Sequence, residues 1–309
     1  MGNLLLLLAA VLPWTTLLLA AGRGTTAARV KLQNSIKETS FPPQRFLGQI
    51  SPLDNNGPGG STTRYYAQHL TGKSDEGFYG IIATMDVYGG FNLTTEQVTQ
   101  CTVLLHNEVG SEVTSLNVIQ IGWEVAPETY GDSRTHLGSL WTTDGYTKTS
   151  CRNADCAFVP EKGAHMTLGG VIETVSQPNG PKQTITIKVI KDHITGDWMV
   201  YYGFNGDNPA LIGRFPKAIF TGGLANRARE IQFGGYVYNN ATTLAPMGSG
   251  YLPKDDAVTS ATMSNIQLID QNGHPYPVPK DSYSYMTDPN IYDANPIVNG
   301  RFFYGGPKQ

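Results

Sequence analysis

The chain has 309 residues, a formal net charge of −3 and 15% charged residues, against the ~25% usual in soluble domains. It carries no basic cluster, so nucleic-acid binding has no electrostatic footprint. Glycine (35), proline (19) and tyrosine (16) are plentiful, a composition that suits extended strands and tight turns better than helices.

At the N-terminus, Leu4 to Leu8, Ala9, Ala10, Val11 and Leu12 form an apolar run that resumes at Leu17 to Ala21. The small residues Ala20, Ala21 and Gly22 then supply a signal-peptidase site, which predicts a signal peptide over 1–22 with cleavage after Gly22. Pro13-Trp14-Thr15-Thr16 breaks the run, and a membrane anchor needs ~20 uninterrupted apolar residues. The expectation is a secreted protein with no stable membrane insertion. Residues 23–64 follow as an irregular, propeptide-like or linker segment. Pro42-Pro43 and Asn55-Asn56-Gly57-Pro58-Gly59-Gly60-Ser61 deny it regular structure. A domain is predicted over 65–309.

Within that domain, period-2 alternation recurs. Tyr79, Ile81, Ala83, Met85 and Val87 alternate with small or polar residues, as do Ile119, Ile121, Trp123 and Val125, and then Ile185, Ile187 and Val189. Each pattern predicts a half-buried strand. Val200 and Tyr202, after the Thr195-Gly196-Asp197 turn, are predicted to return antiparallel to the last of these. Gln232 to Tyr238 and Ser264 to Asp270 add two more strands. Phe215 to Glu230 reads as helical, interrupted at Gly222-Gly223. Many short strands with scarcely a helix predict an all-β antiparallel sandwich with few short helical segments.

The cysteines are Cys101, Cys151 and Cys156. In an oxidising compartment Cys151 and Cys156 are natural partners, closing a loop through Arg152-Asn153-Ala154-Asp155. Cys101 is then left as a buried thiol. Asn92-Leu93-Thr94 and Asn240-Ala241-Thr242 are glycosylation sequons, in keeping with export. The six histidines are scattered singly, so no metal site is predicted. No G-x-S-x-G nucleophile motif and no phosphate loop is present, and no cofactor is expected.

Gly122-Trp123-Glu124-Val125-Ala126-Pro127-Glu128-Thr129-Tyr130-Gly131-Asp132 resembles the G-W-x-V-x-P-E-x-Y-G-D segment of the neprosin family. Leu140-Trp141-Thr142-Thr143-Asp144-Gly145-Tyr146, the Cys151–Cys156 pair and Gly196-Asp197-Trp198 follow. Ile212-Gly213-Arg214-Phe215-Pro216, Phe233-Gly234-Gly235, Met247-Gly248-Ser249-Gly250 and Phe302-Phe303-Tyr304-Gly305-Gly306-Pro307 complete the series in family order. The resemblance implies a plant protein of the secretory route, destined for the apoplast or cell wall. It also implies an antiparallel β-sandwich and the activity of a glutamic endopeptidase that cuts after proline in acid. Two carboxylates do that work. The ionised one activates water and the protonated one donates to the carbonyl oxygen or leaving amine.

Carried over residue by residue, the first glutamate falls on Glu128. The second would end the Phe-Gly-Gly-Glu segment, which here is Phe233-Gly234-Gly235-Tyr236, so Tyr236 stands in its place. A phenol of ordinary pKa ~10 donates a hydrogen bond in acid and cannot share a proton with Glu128. Impaired catalysis is therefore expected, with Glu128 as base and Tyr236 as donor if any remains. The competing expectation is an inactive binding protein for proline-rich peptides or cell-wall polysaccharide, held partly by tyrosine stacking. Glu124 and Glu230 are expected to be solvated structural residues. The family's cysteine before Tyr292-Asp293 is Ile291 here, and Arg29 to Ile50 carries little of the family's activation segment.

Overall fold

The computed structural model describes residues 63–109, 113–239, 242–253, 258–279 and 282–307. All of them belong to one compact unit, Phe41–Gln309. The expected signal peptide, nearly all of the 23–64 segment and Asn240 lie outside the described residues.

Strands dominate. In chain order they are β1 (Thr63–Leu70), β2 (Gly80–Asp86), β3 (Gln97–Asn107), β4 (Asn117–Val125), β5 (His136–Thr142), β6 (Cys151–Arg152), β7 (Val159–Pro160), β8 (Thr184–Lys191) and β9 (Trp198–Phe204). Then come β10 (Ala210–Phe215), β11 (Glu230–Asn239), β12 (Met247–Gly248), β13 (Ala261–Ile269), β14 (Pro275–Pro277), β15 (Tyr283–Met286), β16 (Asp293–Ala294) and β17 (Phe302–Gly306). Among the described residues a single α-helical turn, α1 (Pro127–Tyr130), is joined by short 3-10 turns at Val113–Ser115, Lys217–Ile219 and Gly223–Ala225. The helix expected over 215–230 is corrected. Phe215 ends β10, Pro216 denies the next turn an amide donor, and Gly222-Gly223 favours a bend over a continuing helix. What remains are two 3-10 turns before β11.

The strands form two antiparallel sheets. One runs β15-β1-β11-β3-β4-β5-β6, the other β12-β17-β13-β2-β8-β9-β10-β7, with β14 beside β13 and β16 beside β17. Between them lies the main core. Ile81, Ala83 and Met85 of β2, Ile185, Ile187 and Val189 of β8, and Val200 and Tyr202 of β9 meet Cys101, Val103 and Leu105 of β3, Ile119, Ile121 and Trp123 of β4, and Ile231, Phe233 and Val237 of β11. Trp123 pins the layers together: its ring is fully buried and its Nε1 donates to the Asp86 carbonyl oxygen at 2.8 Å. Cys101 is buried in this core, and burial pushes its thiol up to about 12. Such a thiol is inert as a nucleophile.

The two sheets differ in their second faces. β8 alternates buried and half-buried residues along its length, the pattern of a strand with one face against the core. β3, β4 and β11 are buried at every position. Their second face carries its own apolar cluster, which includes Val98, Leu104, Val118, Leu140, Tyr66, Tyr236 and Tyr238.

Candidate active site

That second face is a patterned surface, and its order follows from strand register. Tyr66 of β1 lies opposite Tyr236 of β11, Tyr236 opposite Gln100 of β3, Gln100 opposite Glu124 of β4, and Glu124 opposite His136 of β5. Directly paired residues project to one side of a sheet, so these five side chains form a row across the strands. Two residues along, the next row reads Gln68, Gly234, Thr102, Gly122 and Gly138. Three of its five residues are glycines. The third row reads Leu70, Gln232, Leu104, Gln120 and Leu140. The rows cross five strands, ~19 Å at ~4.8 Å per strand, and side chains of the outer rows lean over the middle one, Gln120 toward Gln100 and Glu124 toward Gly138.

The glycines have separate reasons to be there. A Cβ on Gly122 would fall 2.0 Å from the Cys101 carbonyl oxygen, and one on Gly234, whose φ is +140°, 2.5 Å from that of Ala67. Both let neighbouring backbones approach closely. A Cβ on Gly138 would meet the Glu124 carboxyl carbon at 2.4 Å, so Gly138 makes room for that side chain.

Glu124 is 4% exposed, which corrects the expectation of a solvated residue. A buried charge needs partners. Glu124 Oε1 accepts from the Tyr130 hydroxyl at 2.6 Å and from Arg152 Nη1 at 3.3 Å. Both bonds come from segments that the sequence motifs specify. Pro127 opens α1, and Gly131, at φ +74°, closes it with its amide on the Pro127 carbonyl. This one-turn corner swings Tyr130 back over β4 and β5. There its ring stacks on His136 at 3.7 Å, and burial raises its hydroxyl pKa well above the phenol range, with Glu124 adding to the effect. His136 is held in turn by the Gly169 carbonyl oxygen at 2.9 Å and by Asp132 at 3.1 Å. The Arg134 guanidinium, helped by His136, keeps the Asp132 carboxyl well below its usual range.

On the other flank, Cys151 and Cys156 form the disulfide expected of them. Their loop turns through Asn153, at φ +53°. Asn153 Nδ2 donates to the Tyr130 hydroxyl oxygen at 3.2 Å, and its Oδ1 accepts the Ser139 amide at 3.0 Å. The loop thereby presents Arg152 and Asn153 to the same carboxylate and phenol.

Tyr236 is 1% exposed. Its ring lies 5.1 Å from that of Tyr66, which lies 5.6 Å from Tyr285 of β15. Burial pushes the Tyr236 phenol up to about 12, with Arg64 opposing that rise. Glu128 stands apart from this row. It sits in the first turn of α1, beyond the end of β4, and is exposed. Register places Glu124, rather than Glu128, on the row of Tyr236, two strands away. Glu124 leans toward Gly138 and Arg152, on the side of β4 remote from Tyr236.

Sequence reasoning missed four members of this face: Gln100, Gln120, Tyr130 and Arg152. Gln120 Nε2 donates to Gln100 Oε1 at 3.2 Å and to Thr102 Oγ1 at 3.3 Å. Their signal was present in the polar positions of β3 and β4, which share one parity. Glu230 is also corrected. It opens β11, is buried opposite His106 with 3.6 Å between Oε1 and Nε2, and accepts from Gln232 at 3.3 Å. Asn92 and Thr94 of the first sequon are exposed.

Among the described residues no three histidine, cysteine, aspartate or glutamate side chains are grouped to hold a metal ion, and no helix is long and apolar enough to cross a membrane. A family model described as Neprosin matches residues 95–307. Among solved structures, a Scytalido-glutamic peptidase with a peptide-based transition-state analogue shares 9% identity with this chain. The match covers 79% of this chain and 98% of that one at a TM-score of 0.41, a likeness too slight to carry an argument.

Proposed function

The chain belongs to the neprosin family, a peptidase-like family, and from that premise we propose a protein of the glutamic-peptidase class that takes peptides but hydrolyses them weakly or not at all. One observation carries this reading. Tyr236 occupies the position that the family motif gives to the second glutamate, and it is a buried phenol pushed up to about 12. In acid it keeps its proton. It donates to a developing oxyanion but takes no proton from water and shares none with a carboxylate.

The remaining carboxylates do not restore a facing pair. Glu128 is exposed on α1, and Glu124 is committed through Oε1 to Tyr130 and Arg152. Loss of a general acid or base typically costs ~100- to 10,000-fold in rate. The rest of this sheet face outlasts that loss, because Gln100, Gln120 and Glu124 keep their places without the missing glutamate. Its ligand in this reading is an extended, proline-rich peptide. A chain already fixed in extended form loses little entropy on binding, and tyrosine faces suit proline rings.

The decisive test is cleavage of a proline-rich peptide between about pH 3 and 6, the products read by mass spectrometry. Native protein is expected to cut at least ~100-fold more slowly than Tyr236→Glu. Native cleavage as fast as that of Tyr236→Glu would overturn the reading. If slow post-proline cleavage persists, Glu128→Gln and Glu124→Gln identify the base, which the motif places at Glu128.

We also propose that the protein is secreted into the plant apoplast or cell wall. The 1–22 segment, the Cys151–Cys156 bond and the exposed Asn92 of its sequon support this. N-terminal sequencing of the exported protein should begin at Arg23, and glycosidase treatment should lower its mass. A product still carrying Met1 would refute it.

A further inference from the structure

His69 of β1 lies on the core side of its sheet and is 3% exposed. Its ring stands edge-on to Phe302 of β17 at 4.5 Å and 6.2 Å from Phe233, its partner on β11. Its Nε2 donates to the Asn295 carbonyl oxygen at 3.0 Å. Burial holds the imidazole below its ordinary pKa, with the Asn295 carbonyl opposing that fall. The groups set against it carry no charge: Phe233 from β11, Ser284 opposite on β15, Phe302 from β17, and Asn295 just beyond β16. Asp293 and Arg301 flank those contacts along the chain but are not among the groups that move its titration.

Asn295 ends a strap that closes one side of the sandwich. β15 lies along β1, whereas β16 lies on β17 in the other sheet, so residues 283–295 cross from layer to layer. The strap is fastened at several points. The Thr287 amide donates to the Tyr66 carbonyl oxygen at 3.1 Å, and its Oγ1 accepts the Tyr66 amide at 3.1 Å. The Tyr292 hydroxyl donates to the Ala245 carbonyl oxygen at 2.7 Å, and Asn295 Oδ1 accepts the Phe303 amide at 2.7 Å. Within the strap only Tyr292 and Ala294 are buried, so it belongs with the segments that open at low cost. Phenols, hydroxyls and main-chain amides do not titrate in mild acid. The His69 contact does. Asp288 also titrates in acid, but it bonds inside the strap, to the Asn290 amide at 3.0 Å.

We propose that His69 is an acid-sensitive latch: neutral, it holds the 283–295 strap across the side of the sandwich, and protonated, it lets the strap lift from β1. The reason is electrostatic. An imidazolium set between two phenyl rings, with a carbonyl for partner, lacks the counter-charge that a buried cation needs. The loosely packed strap is the part that can move aside and admit water. The closed form binds the proton more weakly than the open one. Below the ordinary histidine value of ~6.5, opening therefore gains on closing by up to about tenfold per pH unit. Lifting parts Tyr285 from the Tyr66 ring, 5.6 Å away, and bares the long edge of β1. The buried tyrosine row is then approached from its side in acid and shut at neutral pH. The latch is independent of whether that face binds peptides or cuts them.

The test is amide exchange of the exported protein between about pH 7 and about pH 4.5, each rate divided by that of the free peptide. Protection over 283–295 is expected to fall as pH drops below ~6.5, by up to about tenfold per unit. His69→Gln keeps an N–H donor for the Asn295 carbonyl and does not titrate. In that variant the same amides should be indifferent to pH over this window. An equal fall in His69→Gln would assign the effect to Asp288, Asp293 or general acid unfolding, and overturns the proposal. So does a native strap whose protection ignores pH. Should His69→Gln fold poorly, an NMR titration of the native His69 ring decides the matter. A midpoint below ~6.5, with Tyr285 and Tyr292 signals moving at the same pH, supports the latch. A midpoint at or above that value, or tyrosine signals that stay still, refutes it.

Discussion

Gly138 shows how a single missing carbon can hold a charge in place. The Glu124 carboxylate occupies the space its side chain would need. In Gly138→Ala the carboxylate must leave Tyr130 and Arg152 or the backbone must shift. Parting a buried ion pair costs ~3–5 kcal/mol and overpacking ~1–3 kcal/mol. A loss of about 3 kcal/mol in urea unfolding is expected. Glu124→Ala should relieve most of the clash when combined with it, giving strongly non-additive energies; additivity would show that the two residues do not share that space. A second residue-scale prediction concerns Lys191. Its Nζ donates to the Gly196 carbonyl oxygen at 2.6 Å over the Trp198 ring, and burial, with Lys217 nearby, pushes it down to about 8. An ordinary lysine titrates near ~10.4. Between those values the unfolded chain holds more protons than the folded one, so this residue makes stability rise with pH in that window. Measured against Lys191→Met, native stability should gain from pH ~8 to ~10.4 and stay parallel below; a flat difference would refute the assignment.

At the scale of elements, legibility tracked how cleanly apolar residues alternate along a strand. β2, β4, β8 and β9 were readable because their apolar residues recur every second position. β3, the eleven residues from Gln97 to Asn107, was not anticipated although it lies at the centre of its sheet. Both its faces are buried, so Gln100, Thr102 and His106 interleave with valine and leucine and blur the period. The false helix over 215–230 arose where apolar residues crowd without a strand period. The cysteine spacing pointed to the Cys151–Cys156 bond that the structure contains, and the motifs put Tyr236 at the second glutamate position. They could not show that Glu124 shares the row of Tyr236, because register between strands is written in no single segment. The disulfide loop earns its own prediction. Closing so short a loop is worth ~2 kcal/mol of chain entropy, but Arg152 and Asn153 add an enthalpic share through Glu124 and Tyr130. Cys151→Ser with Cys156→Ser should therefore cost more than ~2 kcal/mol in urea unfolding, and the excess should vanish in a Glu124→Gln background. An equal cost in both backgrounds would mean that the loop does not support the carboxylate.

The described residues form two unequal layers, one of which buries both its faces. Amide exchange should mirror this, with β3, β4 and β11 slowest because they open only on global unfolding. β14 and β15, short strands at the margin with mostly exposed or half-buried residues, should exchange orders of magnitude faster. Uniform protection across both sheets would contradict the layered picture.

The sheet order has a consequence for how the protein is made. β11 inserts between β1 and β3, yet it is completed only at Asn239, whereas β3 ends at Asn107. During synthesis one long edge of β3 must wait for about 130 more residues, on the order of ten seconds at typical elongation speeds. Throughout that interval Val103, Leu104 and Leu105 stand beside open backbone donors and acceptors, the condition under which nascent chains pair with one another. The family motif at 233–236 thus closes a seam as well as marking a site, and ribosome pausing upstream of it would lengthen the period of risk.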